Sequence, residues 1–375
     1  MKLILAIIFS LCSLNPWGQS DFVSIDEKSK TVPDSLVDYK EIAVFLTKNL
    51  ENETEKARAI YVWIAYNIQY DLTYALKSQD FESNEALIED VLKRGNTICS
   101  GYSILFHEMG NYVGLKTFLI NGYTKDSYGR TSKEGHAWNG VVVDGEYYLI
   151  DVTWSAGYVA QAEERYSHEF MDRYFMNNPE EFILDHIPYD PLWQFLNNPI
   201  SHREFYRDDF SKLDTQGNFI YKDSISIYQN LNELEQVRSA RRRILSDDFI
   251  TSTVQEGLND CDILEFNCGL DELNRAIGFF NLYFSGKQRN FSNPDIEDAD
   301  VRSLIERAEE HIMRCLDVCA TLKPSDAILE EEVLRMNTPA KELHERILFE
   351  KEFIDRLHRV KKPLRIFVFP KPYKD

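Results

Sequence analysis

Apolar residues recur with two different periods along this chain, and the change from one to the other divides it. In the first part, helical and alternating stretches are interleaved. Val37 to Leu50 has helical spacing, and Glu53 to Tyr70 carries Ala57, Ile60, Tyr61, Ile64, Ala65 and Ile68 on one stripe, with Thr54 placed to cap it. Trp63 lies beside that stripe and reads as a core aromatic. Asn84 to Leu92 is a further helix closed by Arg94-Gly95. Another helix begins at Cys99 and runs to about Asn111; Lys116 to Tyr123 then reads as a strand. After a polar, glycine-containing loop at Lys125 to Gly135 come two β-rich runs, His136 to Val143 and Glu146 to Trp154, separated only by Asp144-Gly145. Asp-Gly between such runs is a strong signal for a tight hairpin.

That turn sets a register. If Asp144-Gly145 forms the two-residue loop, Val143 pairs with Glu146, Trp138 faces Asp151 and His136 faces Thr153. Residues two apart share a face, so His136 and Asp151 become diagonal neighbours, roughly 7–8 Å apart at the backbone and within reach of their side chains.

Beyond Gly157 the pattern loosens into aromatic pieces punctuated by Pro179, Pro188, Pro191 and Pro199, which close a first domain near residue 200. The remainder is helical. Ile225 to Ile250, Leu270 to Phe284, Val301 to Cys319 and Ile328 to Val360 each carry one apolar stripe, which suits an antiparallel bundle. The tail Leu364 to Phe369 reads as an added strand or a docked extended segment. The domain reading is therefore 1–20, 21–200 and 201–375.

Residues 1–20 are not read as part of the fold. Lys2, the apolar run Leu3 to Leu11, Pro16 and the small residues Gly18 and Ser20 have the order of a secretory signal. The run is too short to span a bilayer. Cys12 lacks the small residue expected before a lipidated cysteine. The expectation is an exported protein without a membrane span, periplasmic or extracellular. Acidic residues outnumber basic ones 62 to 42, for a net charge of −20, which argues against nucleic acid, whose binding needs a basic face. Beyond the signal there remain Cys99, Cys261, Cys268, Cys315 and Cys319. An odd number in an oxidising compartment suggests one free thiol, and Cys99 stands apart from the other four. Cys315 and Cys319, at i and i+4 on a helix, are poorly placed to bond to each other.

Candidate chemistry centres on Cys99. A cysteine at a helix start meets unpaired backbone N–H groups and the positive end of the helix dipole, and both favour the thiolate that attacks. His136 can deprotonate it and Asp151 can orient the imidazole. His107 sits on the Cys99 helix itself, about 12 Å along its axis at 1.5 Å per residue. His168, His186 and His202 fall in the irregular segment and fit less well. No Cys-x-x-Cys or His-x3-His spacing occurs, so neither a zinc site nor a cofactor is expected.

Three blocks carry a resemblance: Thr97-Ile98-Cys99-Ser100-Gly101-Tyr102-Ser103, Gly135-His136-Ala137-Trp138-Asn139 and Tyr148-Leu149-Ile150-Asp151-Val152-Thr153-Trp154. Together with the helix Ala59 to Asp71 they resemble the transglutaminase-like superfamily, in the branch related to the kyphoscoliosis peptidase, over about residues 40 to 200. The resemblance implies an α+β, papain-like core with the nucleophile helix packed on an antiparallel sheet. It implies Cys99 as nucleophile, His136 as general base then acid, and Asp151 as orienter, acting on a protein or peptide substrate. The Cys99 backbone N–H would be one oxyanion donor. Trp63, Asn67 and Gln69 are candidates for the second.

Three readings stay open. One is cysteine acyl transfer at amide bonds, by a peptidase, amidase or protein cross-linker. Another is a catalytically silent interaction module whose helical half binds a protein partner. A third treats His136 and Asp151 as polar groups satisfied within the sheet.

Overall fold

The structure, a computed structural model, describes residues 22–73, 81, 83–160, 165–289, 291, 298–361, 364–365 and 368. The signal-like segment at 1–20 lies outside the described residues, as do Ile366, Phe367 and Phe369 of the apolar tail.

Local signals explain the first helices. α1 (Val23–Ser29) and α2 (Tyr39–Thr47) lead in, with the Asp38 carboxylate capping α2 by accepting the Lys40 and Glu41 N–H groups. α3 (Glu53–Asn67) is capped by Asn52, which accepts the Thr54 N–H; Thr54 itself is already helical. Every residue from Ala57 to Ala65 is buried, so α3 is a central helix enclosed on all sides rather than one resting on a single stripe. It ends short of Tyr70 because Gln69–Tyr70 leave it as β1. α4 (Asn84–Arg94) stops at Gly95, whose φ of 68° is the left-handed conformation a helix C-terminus commonly needs. β2 (Asn96–Thr97) pairs in parallel with β1 and feeds directly into α5 (Cys99–Tyr112).

The main sheet comprises β3 (Lys116–Thr124), β4 (His136–Val143), β5 (Glu146–Ile150) and, later in the chain, His186–Pro188, in the order β5-β4-β3 and then that last strand, with every neighbouring pair antiparallel. β5 gives way at once to α6 (Val152–Ala156), and β6 (Gly157–Ala160) and β7 (Arg165–His168) form a small antiparallel ladder. α7 (Pro179–Phe182) precedes the fourth sheet strand, now β8, and α8 (His202–Tyr206) follows it. α5 packs on β3 and β4. Tyr102, Leu105, Phe106 and Met109 of α5 share one core with Ile60 and Ile64 of α3 and with Val141, Val143 and Ile150 of the sheet. This is the expected transglutaminase-like arrangement of a nucleophile helix on an antiparallel sheet.

Among the described residues the chain divides into two compact units. The first extends to Ile225 and takes back Arg243–Val254; the second holds Ser226–Arg242 and the chain from Gln255 onward. The single helix expected over Ile225 to Ile250 is two, α9 (Tyr221–Gln229) and α10 (Glu233–Ile244), broken where Asn232 accepts the Glu235 N–H. Asparagine favours that local bond over continuing the helix.

In the second unit, α11 (Ser252–Gln288, from Gln255), α12 (Asp298–Thr321) and α13 (Ala327–Arg359) are long helices around a core that includes Leu273, Ala276, Tyr283, Ile305, Ala308, Ile312, Met336, Ala340 and Ile347. Side-chain pairs show their directions. Arg302 meets Asp355 and Lys351 meets Glu309, so α12 runs antiparallel to α13, and Glu272 meets Arg314 while Phe279 lies under Arg307, so α12 runs antiparallel to α11 as well. Among the described residues no helix is long and apolar enough to cross a membrane.

Candidate active site

Cys99 is the first residue of α5. Its N-cap is Ile98, whose side chain makes no capping hydrogen bond, so the first-turn N–H groups are not taken up by a side-chain cap. Gly101 lets this turn seat tightly on β2: a Cβ there would meet Thr97 Oγ1, with the Thr97 Cβ only 2.8 Å away. Cys99 is half-buried, whereas the other four cysteines described are buried. No disulfide joins any two of these five.

The hairpin has the expected register. Val143 pairs with Glu146, Gly140 with Leu149 and Asn139 with Ile150, and Asp144 and Gly145 both have positive φ as the turn demands. The ladder then ends. The strand expected through Trp154 is not formed, so Asp151 does not face Trp138 in a ladder. Instead Asp151 is the N-cap of α6, its Oδ1 accepting the Trp154 N–H at 3.1 Å. Aspartate favours that position, and its cap outweighs the β preference of Val152, Thr153 and Trp154. The backbone around it is fixed from three directions. The Asp151 N–H donates to the Tyr174 carbonyl at 3.1 Å. The Ser155 hydroxyl donates to the Asp151 carbonyl at 2.6 Å, and the Tyr61 hydroxyl donates to Ser155 Oγ at 2.5 Å.

This placement brings the three candidate residues together. His136, the first residue of β4, has Nε2 at 2.7 Å from Asp151 Oδ2, and Asp151 is fully buried. Cys99 lies near enough to the His136 imidazole and the Ala137 backbone N–H for both to favour its thiolate. Burial pushes the thiol up, but His136 and the Ala137 N–H outweigh it and hold Cys99 below an ordinary thiol. Burial pushes His136 down, yet Asp151 and Cys99 raise it to about 10. Burial opposes ionisation of Asp151 too, but His136 and His186 hold its carboxyl well below the usual carboxylate range. The shifts favour the thiolate at Cys99, the imidazolium at His136 and the carboxylate at Asp151.

One residue at the site was judged a poorer fit from sequence. His186, the first residue of β8, has Nε2 at 3.1 Å from the same Asp151 Oδ2 and Nδ1 at 2.6 Å from Asp185 Oδ1, and is completely buried. The ligand-type atoms of His136, Asp151 and His186 all lie within 4.8 Å of one another, close enough for one metal ion. Asp151 Oδ2 already stands within hydrogen-bond distance of both imidazoles, so the geometry is equally that of a hydrogen-bonded network. The other histidines of this unit have structural partners: His107 meets the Thr117 hydroxyl, His168 the Ala65 carbonyl and His202 the Tyr189 carbonyl. Of the candidate second oxyanion donors, Asn67 donates its amide to the Trp63 carbonyl at 2.8 Å, Trp63 packs in the core, and Gln69 is exposed on β1.

His136 opens onto a cleft of about 770 Å³ whose walls include Tyr70, Thr153, Trp154, Tyr158 and Tyr166. The Trp154 and Trp138 rings lie 5.7 and 6.0 Å from the imidazole and cover its flanks. Burial, and then the negative charges at Cys99, Glu134 and Asp151, raise the Tyr70 phenol to about 12, so it stays a neutral O–H donor on that wall. The cleft is aromatic-walled and carries the His136 imidazole in its lining.

Residues 40–152 match the transglutaminase-like superfamily in its core domain. The kyphoscoliosis peptidase of Homo sapiens is 31% identical over 179 residues, covering 46% of this chain and 27% of that protein. The Lim and transglutaminase domain protein ltd-1 of Caenorhabditis elegans is 26% identical over 225 residues, 56% of this chain and 30% of that protein. The chain thus spans between 27% and 30% of the length of these two curated relatives. A solved transglutaminase structure is similar at 20% identity over 44% of this chain and 38% of that one, with a TM-score of 0.25.

Proposed function

The chain carries a transglutaminase-like core domain over residues 40–152, and on that premise we propose that it catalyses cysteine-dependent acyl transfer at amide bonds of a protein or peptide. The observation that carries this reading is the His136 imidazole, 2.7 Å through Nε2 from the buried Asp151 Oδ2 and near enough to Cys99 at the start of α5 to favour its thiolate.

In the proposed reaction the Cys99 thiolate attacks the amide carbonyl carbon. Charge moves to the carbonyl oxygen, where first-turn N–H groups of α5 are the nearest donors by position. The His136 imidazolium gives its proton to the departing nitrogen as the C–N bond breaks, leaving a thioester and a neutral imidazole. An incoming water or primary amine then passes a proton to His136 as it attacks the thioester, and the sulfur leaves as thiolate. Asp151 holds the imidazole in place and stabilises its charged form throughout. Water makes the protein a peptidase or amidase; a lysine amine makes it a cross-linker. Export is part of the proposal and rests on the leader-like order of residues in Met1 to Ser20. N-terminal sequencing of the protein recovered outside the cytoplasm tests it.

The enzymatic test is incubation with a glutamine-containing peptide, with and without a primary amine, read by mass spectrometry. Backbone cleavage, deamidation or amine incorporation that is lost in Cys99→Ser supports acyl transfer and names the acceptor. A panel of peptides left unchanged, with Cys99 alkylated no faster than a free thiol, would favour the silent interaction module.

A further inference from the structure

We propose that His186 is a fourth member of this site, a positioning residue that holds the Asp151 carboxylate on His136 and thereby supports the thiolate form of Cys99. The proposal rests on the acyl-transfer reading above and concerns how its machinery is supported.

Asp151 is fully buried, and its oxygens are used unequally. Oδ1 takes the Trp154 N–H, while Oδ2 takes Nε2 of His136 at 2.7 Å and of His186 at 3.1 Å. A buried carboxylate that must stay ionised needs donors at both oxygens. His186, itself fully buried, supplies a second donor to Oδ2. Its own aim is fixed at the other end of the ring, where Nδ1 lies 2.6 Å from Asp185 Oδ1. Asp185 is held in turn by Arg173 at 3.0 Å.

The ring is also clamped sideways by Phe182, Trp154, Trp138 and Tyr174, with centroids 4.1, 4.4, 5.3 and 5.6 Å away. A histidine wanted only for packing has no reason to place both nitrogens on carboxylates. The ionisable groups facing it are Asp185 beside it on the chain, Asp151 at the β5–α6 junction, His136 on β4, and Arg173 with Tyr174.

The consequence runs through aim. With both the His186 and His136 N–H groups on Oδ2, the carboxylate is held facing His136. Without His186 it is free to turn away, and an imidazolium that loses its carboxylate supports the thiolate less.

The test uses the full chain and two substitutions. His186→Phe keeps a ring in the aromatic cage and removes both hydrogen bonds, while His186→Gln keeps an N–H donor. The rate of Cys99 alkylation by iodoacetamide is followed from acid to alkaline pH by intact mass, with a thermal melt of each variant. The expected result is a wild-type midpoint below that of an ordinary thiol, moved up by about one pH unit in His186→Phe, so that labelling below the midpoint falls about tenfold. His186→Gln should recover part of the shift. An unmoved midpoint in His186→Phe, even with a lowered melting temperature, would leave His186 a packing residue and overturn the proposal while the nucleophile stands. A wild-type midpoint at the ordinary thiol value would overturn the nucleophile reading and this proposal with it. If His186→Phe does not fold, 15N imidazole spectra of the wild-type protein decide the matter. Nε2 of His186 must carry a proton near neutral pH, and a bare Nε2 refutes the proposal.

Discussion

His136 and Asp151 meet at 2.7 Å although Asp151 lies just outside the hairpin ladder that carries His136. The acid is aimed by a change of secondary structure: β5 ends at Ile150, α6 begins at Val152, and the residue between them caps the helix with one oxygen and holds the imidazole with the other. Asp151→Asn should therefore separate the two duties. Asparagine caps a helix nearly as well, so the melting temperature should change little, but its amide offers the wrong pairing to the imidazole and activity should fall by roughly 10³–10⁴-fold. Asp151→Ala should lose activity and also about 1 kcal/mol from the missing cap. Activity measurements with denaturant melts on both variants check this.

Stability should follow the His136–Asp151 pair at both ends of the pH scale. His136 is raised from 6.5 to about 10, so its contribution is fully present below 6.5 and is lost as pH rises towards 10. Asp151 is depressed, so its contribution is present above the unfolded carboxyl value and is lost as pH falls through its lower folded value. Urea melts of wild type and His136→Gln should differ most below pH 6.5 and converge as pH rises towards 10. A constant difference over that range would contradict the raised imidazole.

Arg58 is the charged centre of the first unit. It is 2% exposed, donates to both Asp26 oxygens at 2.7 Å, pairs with Asp172, and lies over the Phe22 and Phe175 rings at 5.2 and 5.0 Å. Arg58→Met leaves the carboxylates without their cation and should cost about 3–5 kcal/mol in urea unfolding, the range for removing one partner of a buried pair. Arg58→Lys should recover little, because an ammonium cannot serve both partners in the planar fork.

Gly122 pairs with His136 on one side and Pro188 on the other, so it lies in the sheet between the strands that carry His136 and His186. A Cβ there would meet the Ile187 carbonyl, the Trp138 ring at 2.5 Å and Pro188 Cα at 2.6 Å. Gly122→Ala should force β8 outward, costing roughly 1–3 kcal/mol and lowering activity, since the backbone carrying His186 must move. Melting temperature and turnover measured together test this; a fully active, undestabilised variant would contradict it.

Much of this arrangement can be read from residues alone, for identifiable reasons. Asp144-Gly145 fixed the hairpin register, because only one pairing satisfies a two-residue turn, and Asn96 to Ser100 marked the helix start at Cys99. The α6 turn was hidden because Val152, Thr153 and Trp154 all favour strands, and a single capping aspartate reads weakly against three such neighbours. His186 was hidden because its strand is three residues long and its partners, Asp151 and the rings of Trp138 and Trp154, come from distant parts of the chain. The only local signal was Asp185 next to His186, flanked by Phe182 and Tyr189. In the helical half, the periodicity located α12 and α13 closely but ran α9 and α10 together, since the apolar stripe continues across the break.

The exposure of the cysteines has a practical corollary. Of the five in the described chain, four are buried in the second unit and Cys99 alone is half-buried. Brief treatment of the native protein with a maleimide dye should therefore mark one position, and unfolding should reveal the others. The ratio of the two signals gives a count of correctly folded molecules in any preparation, with no substrate in hand.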